Sequence, residues 1–290
     1  MTETMAAGDG PEISERIERR ALEALHEVAT PEIRARLGLS LTALGDGVVS
    51  MGTRLPTDAI DINRTLGLGT AGPLDPAWLG EAVARYRAAG VPEFVIHLLT
   101  EDPAPFAEAI AEAGLVRTRR WQKFVRGPEA PLPETEDGLA LAEVDPEDGT
   151  AAGLFGEIAA RGFDLGAEAA DWLARLPQHP DWTAWLVIKD GRPAGTGALF
   201  SDGVEAWTDW AVTHPEMRRQ GVQRFCLAER VRIAHARGVE RVFTCTGEAV
   251  EGDPQHSYRN MLRCGFRTAE LRETLSPAGA ASRAQPAVDD

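Results

Sequence analysis

The stretch Thr208-Asp209-Trp210-Ala211-Val212-Thr213-His214-Pro215-Glu216-Met217-Arg218-Arg219-Gln220-Gly221-Val222-Gln223-Arg224 decides how this chain reads. Its opening residues close an apolar, β-prone run that begins at Val204, so a strand is expected over residues 204–212. Pro215 breaks that run into a turn, and the pattern after Gly221 predicts a helix over residues 222–237. Such a turn collects backbone N–H groups at the positive end of a helix dipole, which suits phosphate. Gly221 lets a diphosphate approach the main chain with no side chain in the way. Charge points the same way: from Pro215 to Arg241, seven arginines (218, 219, 224, 230, 232, 237, 241) stand against Glu216, Glu229 and Glu240, an excess of four. Pairing between Glu and Arg along a solvated helix face accounts for some of them.

That basic segment is an exception. The 290 residues carry 45 Asp+Glu against 30 Lys+Arg, a net charge of -15, which excludes a general nucleic-acid or anionic-membrane binder. Hydrophobic and charged contents of 43% and 26% are those of a globular protein, and the length suggests two domains. No apolar run approaches the ~18 residues that span a bilayer. The first thirty residues are acidic and amphipathic, unlike a signal peptide. Cys226, Cys245 and Cys264 form no C-x-x-C pair, so neither a disulfide framework nor a metal site is expected, and the compartment is read as reducing and cytoplasmic.

One seam divides the chain. Pro128, Pro131, Pro133 and a run of acidic residues make 127–138 an acidic, Pro-rich linker between residues 1–126 and 139–290, with the tail after about 277 read as disordered. Before the seam, Ile13, Ile17, Ala21, Leu25 and Val28 form a helical stripe, and Thr30-Pro31 caps a second helix. Strands follow at 41–44 and 48–51, then a Gly-rich loop, a helix over 76–89, a strand over 93–99, a helix over 103–113 and a strand over 115–125. After the seam the pattern gives a strand (139–144), helices (148–160, 167–176), strands (183–189, 194–200, 204–212), the helix 222–237, a strand (239–246), a helix (254–264) and a last strand from Phe266. Alternating strands and helices imply α/β architecture, here two mixed sheets flanked by helices. The segment from Arg85 also parallels the one from Ala234: helix end, Gly-Val, apolar strand, acidic loop with Pro, helix, strand. An internal repeat of that length implies one fold written twice.

The second half resembles the GNAT acyltransferase superfamily. Arg218-x-x-Gly221-x-Gln223 follows its R/Q-x-x-G-x-G/A signature at two of three fixed positions, with Gln223 where Gly or Ala is usual. Ser257-Tyr258-Arg259-Asn260-Met261-Leu262-Arg263-Cys264-Gly265-Phe266 is similar to its second motif of Asn, helix and Gly-Phe. The resemblance implies a GNAT-like fold and acetyl-CoA, or another acyl-CoA, as co-substrate, with no metal. It implies a diphosphate on the amides of Arg219, Gln220, Gly221, Val222, Gln223 and Arg224, with Arg218 and Arg224 as charge partners. Pantetheine would add like a strand along Ala211 and Val212, and Ser257 and Asn260 would meet its distal arm. An acceptor amine would attack the thioester directly, giving an N-acyltransferase, most simply an N-acetyltransferase.

The family's leaving-group acid is a Tyr four residues before the Gly of Gly-Phe, where this chain has Met261. Tyr258 lies one turn earlier on the same helical face and is the candidate for that role, an ordinary packed Tyr being the alternative reading. Glu205 and Asp209 are the candidate bases, with Glu248 and His256 behind them. In the first half, Arg64, Gly67 and Gly69 repeat the R-x-x-G-x-G spacing ahead of a helix delayed by residues 70–75, which reads as a degenerate copy. Gly67-x-Gly69-x-x-Gly72 also fits a dinucleotide fingerprint, but no apolar strand leads into it and Pro73 and Pro76 delay the helix. Trp172 and Trp182 read as core, with a second reading as cover over the acceptor. The acceptor is expected to be a small-molecule amine, with neither nucleic acid nor membrane as partner and oligomerisation left open. The rival reading is a CoA-binding sensor without chemistry.

Overall fold

The computed structural model describes residues 10–100, 102–133, 137–252 and 255–279, so the tail expected after about 277 lies, from 280 onward, outside them. Two helices open the chain, α1 (Pro11–Glu27) and α2 (Pro31–Leu37). Thr30 caps α2 as its position before proline suggests, its Oγ1 accepting from the Ile33 amide at 3.3 Å. Strands β1 (Leu39–Leu44), β2 (Gly47–Gly52) and β3 (Arg64–Leu68) follow, then α3 (Ala77–Ala88), β4 (Val95–Leu98), α4 (Ala107–Glu112), β5 (Leu115–Arg117) and β6 (Trp121–Arg126). The remainder runs β7 (Leu139–Glu143), α5 (Gly149–Gly162), α6 (Ala170–Leu173), β8 (Trp182–Lys189), β9 (Arg192–Ser201), β10 (Glu205–Thr213), α7 (Val222–Ala236), β11 (Arg241–Gly247), α8 (His256–Arg263) and β12 (Arg267–Pro277).

The two sheets expected from the sequence are one. Twelve strands form a single mixed sheet: eleven follow the path β1-β2-β3-β4-β12-β6-β11-β10-β9-β8-β7, and β5 pairs with β12 off it. Either side of its middle has the same plan. β1, β2 and β3 are antiparallel, and α3 returns the chain so that β4 runs parallel to β3. Likewise β8, β9 and β10 are antiparallel, and α7 returns β11 parallel to β10.

The next strand on each side is supplied by the other. β6 lies antiparallel to β11, pairing Arg126 with Val242 through Trp121 with Gly247. β12 spans both: Arg267 to Arg272 pair with β6, while Glu273 to Leu275 pair with β4. The single strand read over 115–125 is therefore two, β5 and β6, interrupted at 118–120 where the chain crosses over. The Gly-rich loop likewise contains β3, which is buried along its whole length.

α1 lies over the crossing. Its stripe of Ile17, Ala21, Leu25 and Val28 is buried, and so, less predictably, are Ser14, Glu15 and Glu18. Glu18 meets Arg64 of β3 at 2.9 Å, Arg272 of β12 at 2.7 Å, and Lys123 of β6. Glu15 meets Arg272 at 2.8 Å and Lys123 at 3.3 Å. Charges in such a place persist only when paired, so α1 is a clamp on three strands from two ends of the chain. The described cysteines are free thiols. Among the described residues no helix is long and apolar enough to cross a membrane.

Candidate active site at the strand splay

β10 and β11 pair only at Glu205↔Arg241, Ala206↔Val242 and Trp207↔Phe243. Both strands continue beyond that, β10 to Thr213 and β11 to Gly247, so their ends diverge. A bulge between Asp209 and Val212 turns β10 away, with Trp210 at φ 53. Buried Arg230 of α7 fixes it, its Nη1 donating to the carbonyls of Asp209 at 2.9 Å and Ala198 at 2.8 Å. Gly197 leaves room for that side chain: a Cβ there would come within 3.1 Å of the guanidinium. Thr196 Oγ1 donates to the Trp210 carbonyl at 2.9 Å.

The loop after β10 has the conformation its sequence suggests. Arg219 and Gly221 take positive φ (62 and 76), and Gly221 stands at the start of α7 with no side-chain cap. With no side-chain cap from Gly221, the start of α7 has the backbone form that an anion cradle requires. Gln223, in the place of the usual small residue, ties the two motif helices together. Its Nε2 donates to Ser257 Oγ at 2.9 Å, and its Oε1 accepts from Asn260 Nδ2 at 2.6 Å. The basic excess, by contrast, is mostly structural. Arg230 holds the bulge, Arg232 pairs with Glu229, Arg237 with Glu143 at 3.3 Å, and Arg241 with Glu205 at 2.5 Å. Among the described residues the side chains of Arg218 and Arg219 have no hydrogen-bond or ion-pair partner, and Arg218 Nε is buried with no acceptor.

Between the splayed strands opens a cavity of about 600 Å³. Gln223, Ser257, Tyr258 and Asn260 line it on the α7–α8 side, Asp209 and Ala211 along β10, and Asp61 and Arg64 from beside β3. Tyr258 is half-buried and stacks edge-on to Phe124, ring centroids 5.0 Å apart. Met261, at the family's tyrosine position, is packed in the core. Asp209 Oδ2 accepts from Trp207 Nε1 at 3.1 Å and Oδ1 from the Trp210 amide at 2.8 Å. Burial pushes its carboxyl up, opposed by Arg64 and by those two donors. Burial also pushes Asp61 up, to about 6, with the nearby Asp209 charge adding to it and Arg64 opposing.

Other expected residues lie elsewhere. Glu205 does not line the cavity; it is 4% exposed at the start of β10, ion-paired to Arg241 and to Arg16 at 2.8 Å. Glu248 is clasped by Arg120 at 2.7 Å, also off the cavity, and His256 lines it at the start of α8. Val212 packs against α5, where a Cβ on Gly162 would meet it at 2.4 Å. Trp172 and Trp182 are core, Trp172 Nε1 donating to the Leu25 carbonyl at 2.9 Å. The tryptophans on the cavity are Trp121, Trp207 and Trp210.

The corresponding place in the first half is shut. β3 bulges after Thr65, with Gly67 at φ 83, yet pairing resumes at Leu68↔Leu98 and the strands do not splay. Arg64 opens that strand and turns inward to Glu18, so the second R-x-x-G-x-G lies on a strand and not before a helix. The amides after it are taken by the chain's own carboxylate: Asp46 accepts from Gly69 N at 3.0 Å and Ala71 N at 2.7 Å.

Residues 156–266 match the model of the Acetyltransferase (GNAT) family. Over that stretch, less than half of its length, the chain is similar to the family, whose members use acetyl-CoA as co-substrate. Its fold is similar to a solved GCN5-related N-acetyltransferase from Kribbella flavida (20% identity, 93% of this chain and 97% of that one, TM-score 0.60). It is also similar to one from Sphaerobacter thermophilus (17%, 94% and 93%, 0.56) and to a tandem GNAT protein from the clavulanic acid biosynthesis pathway (14%, 92% and 95%, 0.53). At these identities the likeness is one of fold. No curated protein sequence matches the chain significantly.

Proposed function

We propose that this protein transfers an acetyl group from acetyl-CoA to the amine of a small acceptor, with the donor in the splay of β10 and β11. The observation that carries this is continuity: the Gln223–Ser257–Asn260 cluster, which begins two residues after Gly221, lines a cavity that also reaches Tyr258 and Asp209. The same continuity favours transfer over a sensor, which needs a cradle but no chamber beyond it. On this reading the amides of 219–224 and the side chains of Arg218 and Arg224 meet the diphosphate, and Ala211 offers its backbone to pantetheine. We also read the chain as two copies of one fold, meeting at residues 127–138, that exchange their last strands.

The donor supplies a thioester carbonyl and a thiolate leaving group. Asp209, whose proton affinity is raised by burial, takes a proton from the acceptor nitrogen. The nitrogen bonds to the acetyl carbon, the carbon–sulfur bond breaks with its electron pair on sulfur, and the Tyr258 hydroxyl gives sulfur a proton. The products are an amide and free CoA thiol. Asp209→Asn is expected to lower amine-dependent thiol release at least ~100-fold, the lower range for a lost acid–base group. Tyr258→Phe is expected to lower kcat ~10-fold or more, with acetyl-CoA affinity by calorimetry within about threefold of wild type in both. Unchanged turnover in both variants would remove these assignments.

A further inference from the structure

Asp61 belongs to the half of the chain that carries no donor cradle, yet it lines the same cavity as Asp209. The turn that carries it is firmly built: the Ile62 and Asn63 amides donate to the Ala59 carbonyl at 3.0 and 2.8 Å, and Asn63 Oδ1 accepts from the Gly52 amide at 2.8 Å. Among the described residues no donor hydrogen-bonds to the Asp61 carboxylate. Arg64, the cation that acts on it, is ion-paired to buried Glu18 at 2.9 Å. The other cations on the walls are also engaged: Arg117 with Glu273 at 2.9 Å, Arg119 with the Glu248 carbonyl at 2.7 Å, and Arg230 with the bulge. Asp209, Trp207 and Trp210 of β10 line the same cavity, with Lys123 already 4.6 Å over the Trp207 ring. A carboxylate with no donor among the described residues, on the wall of a chamber that also holds Asp209, suits an organic cation.

We propose that Asp61 sets acceptor specificity by holding a second positive group of a diamine-like or guanidino-amine acceptor while its reacting nitrogen lies at Asp209. The part concerning the reacting nitrogen rests on the acetyl-transfer reading; the binding part does not. The acceptor site is thus built across the strand exchange, the donor side by α7 and α8 and the selecting carboxylate by the turn before β3.

Calorimetry on the full chain saturated with CoA tests this, with putrescine, butylamine and 4-aminobutyrate as probes. Putrescine is expected to bind at least tenfold more tightly than either of the others. Asp61→Asn is expected to abolish that preference while CoA affinity stays within twofold, and Asp61→Glu to retain part of it. Equal binding of the three probes, no detectable putrescine binding, or an undiminished preference in Asp61→Asn would overturn the proposal. Thiol release from acetyl-CoA separates the two readings. Putrescine that binds through Asp61 but releases no thiol defeats acetyl transfer and leaves the site standing. Release that Asp61→Asn leaves unchanged for every amine defeats the site and leaves transfer standing.

Discussion

Replacing Glu18 with Gln should destabilise this protein more than its surface ion pairs would suggest. Glu18 is 0% exposed and serves three buried cations, Arg64, Arg272 and Lys123, and Glu15 is the other carboxylate ion-paired to the last two among the described residues. Glutamine keeps the shape and one acceptor oxygen but leaves three positive charges facing one negative. Breaking a buried pair from one side costs about 3–5 kcal/mol. An unfolding entropy of about 2.1 cal/mol/K per residue gives roughly 0.6 kcal/mol/K for a chain this long, so Tm should fall by about 5–8 °C. Circular dichroism melts at pH 7.5 measure this, and Glu18→Gln/Lys123→Met should recover part of the loss by removing one orphaned cation. Acid gives a second check. Burial alone would raise the Glu18 pKa, but Arg272, Lys123 and Arg64 outweigh it and hold the carboxyl well below its ordinary 4.5. A depressed folded-state pKa stabilises fully above the unfolded value and is lost as pH falls through the folded one. The difference between wild type and Glu18→Gln should therefore be full at neutral pH and shrink below pH 4.5. A variant that melts within 2 °C of wild type at pH 7.5 would refute the view that α1 is clamped by charge.

Three further outcomes are expected. Gly221→Ala puts a side chain at φ 76, a strain of about 1–2 kcal/mol, and should weaken acetyl-CoA binding about tenfold by calorimetry with little change in Tm. Titration with CoA should give one site per chain, because Leu68↔Leu98 pairing closes the first half's splay and Asp46 fills its amides; two sites would contradict that account. Burial raises the Cys245 thiol far above its ordinary value, so alkylation by iodoacetamide at pH 8 should run at least tenfold slower than for free cysteine, read by mass spectrometry.

Much of this was legible in the residues, and the reason is range. The turn from Thr213 to Gly221, the helix after it and the Ser257–Asn260 motif depend on neighbours a few positions apart, which proline, glycine and periodicity report directly. The helix and strand order of each half was legible for the same reason, since those elements are set by local pattern. What failed depended on distant partners. The stretch 115–125 has the composition of one strand, and nothing within it says that 118–120 carry the chain from one partner to another. Glu205 looks like a base on the fourth strand until Arg16 and Arg241 are seen on either side of it. The arginines after Pro215 count as a phosphate-binding excess until Arg230, Arg237 and Arg241 prove to be bound to other segments.

The sequence alone thus determined a strand, a glycine turn and a helix N-terminus, all encoded within residues 208–224, where we propose that the donor binds. Tertiary structure alone decided the rest. The exchange of β6 and β12 carries Asp61 and Arg64 to the cavity wall, and the charge cluster under α1 holds the exchanged strands together. Strand pairing and buried ion pairs join residues more than a hundred positions apart, and their partners are chosen only when the chain is packed.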